Sequence, residues 1–551
     1  MPSRDRRIAM ALGGACLVFI AVMVLAAFIP LFVLSREAGA IASILTEPYA
    51  WRVVTFTLWQ ACLSTVLSVG LAIPLASSLA RRDFRGRVWI LRLMALPLGL
   101  PAIVVALGIL AVWGRQGIIN TILSGPEGNA VFSVYGLSGI LLAHVFFNMP
   151  LATRLLLLSI RRIPPANFRV AAQLSFRPFT VFRLLEWPAM RADLAGIAGL
   201  IFLLCATSFT LVLVLGGGPG ATTIEVAVYQ ALRFDFQPGR AVMFALIQIV
   251  LCALILLAFR GVARPMPEHR VTGLLDRRYG HVGKLTRVAD MAVIAMALLF
   301  VILPVAAIVI AGLRADLGAL LADGAVWRAG ATSLVVAFAA ATLAVSLAIA
   351  LARARIAAAG KVPVSAGFSA AALFSALAGI ASQLILLVSP IVLGTGWFIM
   401  ATWTGHAAAA APMAIIIANG FIALPFSMRI IEPALVTTLT RTGRLATMLG
   451  LTGWRRFTMI DLAATGRPIA MAFAFSMALS LGDLGVVALF GSLETVTLPM
   501  LLYQKMSSYR TADAAGIALL LSVVCLALAI AGTVSPARGS VSSITRARVR
   551  S

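Results

Sequence analysis

The chain has 551 residues, of which 61% are hydrophobic and 11% are charged, and its mean hydropathy is +1.03. This composition excludes an ordinary soluble globular protein and predicts an integral membrane protein. The net charge of +25 does not indicate nucleic-acid binding, because 35 of the 44 Lys and Arg residues fall on one predicted side of the membrane. That bias is the positive-inside rule, and it predicts that both termini are cytoplasmic.

Apolar runs long enough to cross a bilayer, about 18 to 25 residues each, recur along the whole chain. Twelve spans are predicted, at 8–34, 53–80, 88–113, 131–160, 194–215, 241–259, 288–313, 330–352, 367–400, 408–431, 466–490 and 514–534. The first run is too long for the apolar region of a signal peptide and is interpreted as an uncleaved helix. The predicted fold is therefore an all-α, multi-pass membrane protein.

The sequence also contains an internal repeat. Pairs of matching residues recur at a nearly constant spacing of 274 to 276, including Trp51-Arg52 with Trp327-Arg328, Pro150 with Pro425, Arg154 with Arg429, and Tyr229-Gln230 with Tyr503-Gln504. This spacing predicts two parallel six-helix halves. The predicted divisions are a first helix and outer loop (1–50), repeat 1 (51–260), a cytoplasmic linker (261–287), a seventh helix and outer loop (288–325), repeat 2 (326–534) and a cytoplasmic tail (535–551).

Two classes of transporter have two six-helix halves. A secondary transporter of the major-facilitator type carries a basic loop between its second and third helices, and residues 80–87 match that loop loosely. The permease of an ATP-driven importer instead carries, after the fourth helix of each half, a short amphipathic helix that docks on a cytoplasmic ATPase. The loops that follow the predicted fourth and tenth spans therefore decide between the two classes.

Those two loops align with each other at a spacing of 275. Ser175 then matches Gly450, and an aromatic residue and a Phe follow in both loops. The pattern resembles the EAA loop of binding-protein-dependent type I ABC importer permeases, although Arg replaces its Glu in both halves and Ser replaces its Gly in the first. The resemblance implies ATPase-coupling roles for Arg169, Ala171, Ala172, Ser175, Phe179 and Phe182, and for Arg444, Ala446, Gly450, Trp454 and Phe457. The missing Glu predicts a dedicated partner ATPase.

The chain itself contains no Walker motif. The glycine run 216–220 is followed by Ala221 and Thr222, and Gly283-Lys284 is followed by Leu285, where a phosphate-binding loop needs Lys and then Ser or Thr. We therefore expect ATP and Mg²⁺ to bind two copies of a separate ATPase subunit, and no catalytic residue, metal or cofactor site in this chain. The five cysteines and four histidines have no metal-like spacing and are interpreted as packing and loop residues.

Two segments resemble a narrower family, the permeases of bacterial thiamine/thiamine-pyrophosphate ABC importers. They are GGGPGATTIEVAVYQALRFDFQPGRA at 216–241 and SLGDLGVVALFGSLETVTLPMLLYQKMSSYR at 480–510. The resemblance covers about residues 50–530. It implies thiamine or its phosphates as substrate, a periplasmic thiamine-binding protein as donor, alternating access, and the bacterial inner membrane as location. The alternatives are a related permease for ferric iron or another small solute, and a proton-coupled carrier.

Five residues are candidates for the substrate path. Asp483 falls in the predicted span 466–490, where an ionisable side chain is costly and usually faces a cavity or a partner. Ser208 is its equivalent in the fifth span. A carboxylate or an aromatic face stabilises a cation such as the thiazolium of thiamine. Glu225, Tyr229 and Tyr503 fall in outer segments, where they either contact substrate or serve as turn and packing residues.

Overall fold

The computed structural model describes residues 3–37, 47–124, 133–262, 283–359, 370–382, 388–451, 453–491 and 495–533. These ranges contain helices and connecting turns but no β-strand. Eleven helical segments are long and apolar enough to cross a membrane, and two shorter apolar helices accompany them. The prediction of an all-α, multi-pass membrane protein is confirmed. Most of the predicted linker, 263–282, and the predicted tail, 535–551, lie outside the described residues.

Helices make up most of the described residues. In the first half they are α1 (Ser3–Glu37), α2 (Pro48–Arg81), α3 (Arg87–Leu93), α4 (Ala102–Trp113), α5 (Ile118–Ser124), α6 (Leu137–Arg161), α7 (Pro165–Gln173), α8 (Pro178–Val181), α9 (Trp187–Ala206), α10 (Thr210–Leu215), α11 (Ile224–Arg233) and α12 (Pro238–Val262). Single 3₁₀ turns occur at Leu96–Gly99 and Pro219–Ala221, and a π-helical segment, Phe182–Glu186, joins α8 to α9.

The second half has a similar order, although one long helix, Ala407–Met448, stands where the first half has α6 and α7. Its helices are α13 (Lys284–Arg314), α14 (Leu317–Ala322), α15 (Gly324–Ala359), α16 (Ala370–Ala381), α17 (Pro390–Trp403), α18 (Ala407–Met448), α19 (Gly453–Arg456), α20 (Leu462–Leu481), α21 (Gly485–Phe490), α22 (Leu498–Ser507) and α23 (Thr511–Thr533). A second π-helical segment, Phe457–Asp461, joins α19 to α20.

The third predicted span of each half is wrong in its bounds. The predicted span 88–113 is interrupted between α3 and α4, because Pro97 and Pro101 have no backbone N–H with which to continue a helix. The predicted span 367–400 consists of α16 and α17, and residues 383–387 between them lie outside the described residues.

The fifth and eleventh predicted spans exist, but their bounds are wrong, because each helix ends before its apolar run does. Helix α9 ends at Ala206 and α10 begins at Thr210, while α20 ends at Leu481 and α21 begins at Gly485. Asp483 therefore lies in a helix break, not inside a span. Broken helices are tolerated at membrane depth where the freed backbone groups face protein or a cavity.

The first helix of each half packs against the other half. Helix α1 lies on α15 and α17, and α13 lies on α2 and α4. A glycine marks each crossing: a Cβ at Gly396 would overlap the Ala27 carbonyl, and a Cβ at Gly108 would lie 2.6 Å from Ile308 Cδ1. The close approach of the backbones requires glycine at these two positions.

Candidate substrate path and coupling loops

A cavity of about 350 Å³ lies between the two halves, next to both helix breaks. Its first-half wall is formed by residues 98–102, by α6 and by residues 207–211. Its second-half wall is formed by the start of α17, by α18 and by residues 478–485. Sites for small molecules have volumes from about 300 Å³ upward, so the cavity is large enough for a small organic ligand.

Three of the five candidate path residues line this cavity, namely Ser208, Glu225 and Asp483. Glu225 is only 1% exposed, because α11 packs against α2, where Ile224 N donates to Thr57 Oγ1 at 3.1 Å. The segment that contains Glu225, which the sequence places in an outer loop, therefore folds inward to the cavity.

The two candidate tyrosines lie behind or beside the cavity. The ring of Tyr229 packs edge-on against Phe209 at 5.3 Å between centroids, and Phe209 is in the cavity wall. Tyr503 is half-buried in α22 and packs against the main hydrophobic core, outside the described lining of the cavity. The structure thus gives the tyrosines packing positions.

The carboxylates at the cavity are incompletely paired. Asp483 Oδ1 accepts from Gly485 N at 3.2 Å, but Asp483 Oδ2 has no hydrogen-bond partner among the described residues. The same holds for both carboxylate oxygens of Glu225, which the Ser389 hydroxyl of the other half approaches. Buried charges without partners are costly, and in membrane proteins they mark ligand pathways. The arrangement suits a positively charged ligand.

Two polar residues of the cavity wall were missed by the sequence reasoning. His144 is 2% exposed, its Nδ1 lies 2.9 Å from Ser64 Oγ, and its Nε2 has no described partner. Asn148 donates from Nδ2 to Cys205 Sγ at 3.2 Å. Their spacing of four residues, which places polar groups on one face of an apolar helix, was the signal that could have identified them.

The two predicted coupling loops, at 166–178 and 441–453, make the same turn where the structure describes them. Ser175 has φ +52° and Gly450 has φ +65°, so both lie in the left-handed region. Phe176 N donates to the Ala171 carbonyl at 3.0 Å, and Leu451 N donates to the Ala446 carbonyl at 3.0 Å. This bond closes the end of a helix in the manner of a Schellman-type cap. Both alanines are buried beneath the turn.

The outer surface of these loops is apolar and exposed. Phe179 is 73% exposed and stacks on Phe182 at 6.5 Å, and Met448 and Leu449 are 84% and 62% exposed. Exposed apolar patches on loops indicate contact surfaces for a partner.

The other residues predicted to contact the ATPase lie in varied surroundings. Arg169 is exposed on α7, Ala172 is half-buried beside it, and Phe457 lies beneath the Arg353 guanidinium at 5.1 Å. The side chains of Arg444 and Trp454 lie outside the described residues.

Comparison with curated proteins identifies the family, although no family model matches the chain. The thiamine transport system permease protein ThiP of Brucella abortus (strain 2308) is 47% identical over 517 residues, which cover 94% of this chain and 93% of that protein. Its namesake in Escherichia coli (strain K12) is 40% identical over 517 residues, 94% of each chain. The chain belongs to the thiamine transport system permease family.

A third relative matches only one part of the chain. The molybdenum transport system permease protein ModB of Mycobacterium bovis is 30% identical over 218 residues, 39% of this chain but 80% of that protein. One permease of that kind therefore corresponds to less than half of a thiamine transport system permease. These relatives identify the chain as an ABC importer permease, and they favour neither a ferric-iron permease nor a proton-coupled carrier.

Proposed function

We propose that this chain is the membrane subunit that moves thiamine, or its phosphates, from a periplasmic binding protein to the cytoplasm by alternating access. The observation that carries the proposal is the cavity between the halves, where Asp483 and Glu225 present carboxylate oxygens without described partners. The names of its relatives supply the substrate. In this proposal the protein lies in the bacterial inner membrane with both termini cytoplasmic.

The cavity offers complementary chemistry to both rings of thiamine. The thiazolium carries a fixed positive charge, which Asp483 stabilises by charge and the Phe147 and Phe209 rings stabilise through their faces. The aminopyrimidine has hydrogen-bond donors and acceptors, and Glu225 and His144 Nε2 offer it atoms that have no hydrogen-bond partner among the described residues. A buried polar site of this kind discriminates strongly, because an analogue without the matching groups leaves the wall unpaired.

Energy for transport comes from two copies of an ATPase subunit that bind ATP and Mg²⁺. The exposed apolar turns around Ser175 and Gly450 supply one docking surface for each copy. When the ATPase subunits close, the loops at 166–178 and 441–453 move with them and rock the two halves apart on the opposite side. The helix breaks beside the cavity are the places where α9 and α20 already lack continuous hydrogen bonding.

Reconstitution tests the proposal directly. The chain, its ATPase and its binding protein are placed in liposomes, and uptake of labelled thiamine is followed with and without ATP. We expect uptake only when all three proteins and ATP are present, with unlabelled thiamine competing. Uptake by the chain alone, driven by a pH gradient, would overturn the proposal in favour of a proton-coupled carrier.

A further inference from the structure

Two buried ionic clusters join the halves on the side of the molecule that carries the coupling loops. Each cluster contains two carboxylates and two arginines, and we call them the first-half and second-half quartets. The first-half quartet is Arg81, Arg82, Glu186 and Asp290, and the second-half quartet is Asp5, Arg353, Arg456 and Asp461. Both have a formal charge of zero.

The second-half quartet touches a coupling loop directly. Asp5 comes from α1, and its Oδ1 accepts from Gly453 N at 2.7 Å, three residues after Gly450. Its Oδ2 lies 3.8 Å from Arg456 Nη1. Arg353 Nη1 lies 3.1 Å from Asp461 Oδ2.

Solvent is nearly excluded from these charges. Arg456 is 1% exposed, Asp461 is 0% exposed and Asp5 is 3% exposed. The ion pairs are therefore only weakly screened by salt.

The first-half quartet has the same plan. Asp290 comes from α13, and its two oxygens lie 2.9 Å from Arg81 Nη2 and 2.9 Å from Arg82 Nε. Arg81 Nη1 lies 3.9 Å from Glu186 Oε2. Asp290 also accepts from Ser78 Oγ at 3.0 Å. In the other quartet, Asp5 accepts from the loop backbone instead.

The equivalence of the quartets is positional as well as chemical. Glu186 and Asp461 are 275 residues apart, and each is the last residue of the π-helical segment that follows a coupling loop. Arg81 is the last residue of α2, and Arg353 lies near the end of α15; these helices are the second candidate membrane span of each half. Asp290 and Asp5 both lie in the first two turns of a helix that packs on the opposite half. Two such clusters at equivalent positions beside the coupling loops indicate that the clusters act together with those loops.

We propose that Asp5 and Asp290 are positioning residues that couple the coupling loop of one half to the first helix of the other. A quartet of buried charges has few satisfactory arrangements, because removing one partner leaves an uncompensated charge. When a loop and its π-helical segment move, the first helix of the other half therefore moves with them. Packed interfaces of this kind switch between discrete states. The two halves are thereby constrained to change state together.

This inference rests on the proposed function, and the experiment separates the two. The complex of permease, ATPase and binding protein is reconstituted in liposomes, and ATP hydrolysis is measured without and with thiamine-loaded binding protein, together with thiamine taken up per ATP hydrolysed. A wild-type complex that does not respond to the binding protein would refute the proposed function. A responsive wild type makes the variants informative.

The test variants are Asp5→Asn and Asp290→Asn. We expect the ratio of stimulated to basal ATP hydrolysis to fall by about fivefold or more, the lower range of typical allosteric coupling, and uptake per ATP to fall with it. The control is Asp193→Asn, which breaks the ion pair between the buried Asp193 and the partly exposed Arg162 (3.0 Å) inside the first half. The control is expected to keep the wild-type ratio in whatever fraction of the protein assembles.

A charge exchange keeps the inference testable if the single variants assemble poorly. The variant Asp290→Arg/Arg82→Asp retains a neutral first-half quartet, and we expect it to recover much of the ratio lost in Asp290→Asn. Wild-type ratios in both single variants would overturn the inference. So would a charge exchange that restores assembly while the ratio stays as low as in Asp290→Asn.

Discussion

Ser175 and Gly450 occupy the same left-handed turn, 275 residues apart, with φ of +52° and +65°. A side chain in this region meets the following carbonyl, so a non-glycine residue is strained there. The turn directs the exposed apolar residues of each coupling loop outward from the helix bundle. The backbone turn has the same shape in both loops, although the residue is Ser in one and Gly in the other. The left-handed backbone is therefore the shared feature of the two loops, and glycine is not.

The strain at Ser175 predicts a stabilising substitution. Ser175→Gly removes the Cβ at a left-handed position, and we expect the free energy of unfolding to rise by about 1 kcal/mol. The reverse change, Gly450→Ala, should lower it by a similar amount, because nothing lies within 4 Å of a Cβ at Gly450 and only the backbone strain changes. Thermal unfolding of the two purified variants in one detergent measures both signs; a shift of both in the same direction would contradict the interpretation.

Bulk at Gly450 should act on the docked partner far more than on the fold, where it adds only the backbone strain already expected for Gly450→Ala. Since the space around Gly450 is open in this chain, Gly450→Trp is expected to reach the membrane in a folded state. It should nevertheless lose ATPase binding, and with it transport and binding-protein-stimulated hydrolysis. Co-purification of the ATPase measures the loss. Gly405→Trp is the control, since Gly405 is also left-handed and open but lies between α17 and α18, far along the chain from the coupling loops.

The glycine at the crossing of α1 and α17 predicts a large loss of stability. Any side chain at Gly396 overlaps the backbone of Ala27, so Gly396→Leu must push α1 away from the second half. Overpacking of this kind costs about 1–3 kcal/mol, and backbone overlap places the change at the upper end. A Cβ at Gly330 on α15 meets nothing within 4 Å, so Gly330→Leu should be neutral or slightly stabilising, since leucine is the better helix former. Unfolding midpoints compare the two variants.

Neutralising the cavity carboxylates should weaken substrate binding without weakening the protein. We expect Asp483→Asn and Glu225→Gln each to raise the KM for thiamine about tenfold, equivalent to about 1.4 kcal/mol. Stability should stay constant or rise, because carboxylate oxygens without described partners carry a burial penalty. Uptake assays and thermal unfolding of the same preparations give both quantities.

The control for the carboxylates is Asp513→Asn, which breaks an ion pair with Lys505 at 3.2 Å, away from the cavity. It should leave the KM unchanged. A loss of stability in Asp483→Asn together with a wild-type KM would show that the carboxylate has a structural role only.

Much of the candidate site could be predicted because its signals are local in the sequence. The apolar runs define the membrane helices, since a bilayer accepts only segments without unsatisfied backbone groups. The spacing of 275 residues is enough to align Ser175 with Gly450, and Ser208 with Asp483, from the sequence alone. Asp483 was also noticeable because a carboxylate inside an apolar run is rare.

Other features depend on contacts between distant parts of the chain. No local pattern indicates that Glu225 folds inward to the cavity that Asp483 also lines, or that His144 Nε2 has no described partner at the same cavity. The helix breaks were missed for a similar reason, since α9 and α20 stop inside apolar runs where composition alone favours continuation.

The sequence by itself determined the membrane class, and it showed the internal repeat and the two matching turns at Ser175 and Gly450, because hydrophobicity and turn chemistry act over a few residues. Only the tertiary structure decided that α1 and α13 pack on the opposite half and that Asp5 and Asp290 close ionic quartets there. These pairings join residues hundreds of positions apart, and they follow from which helix faces pack together. That choice is a property of the whole assembled bundle.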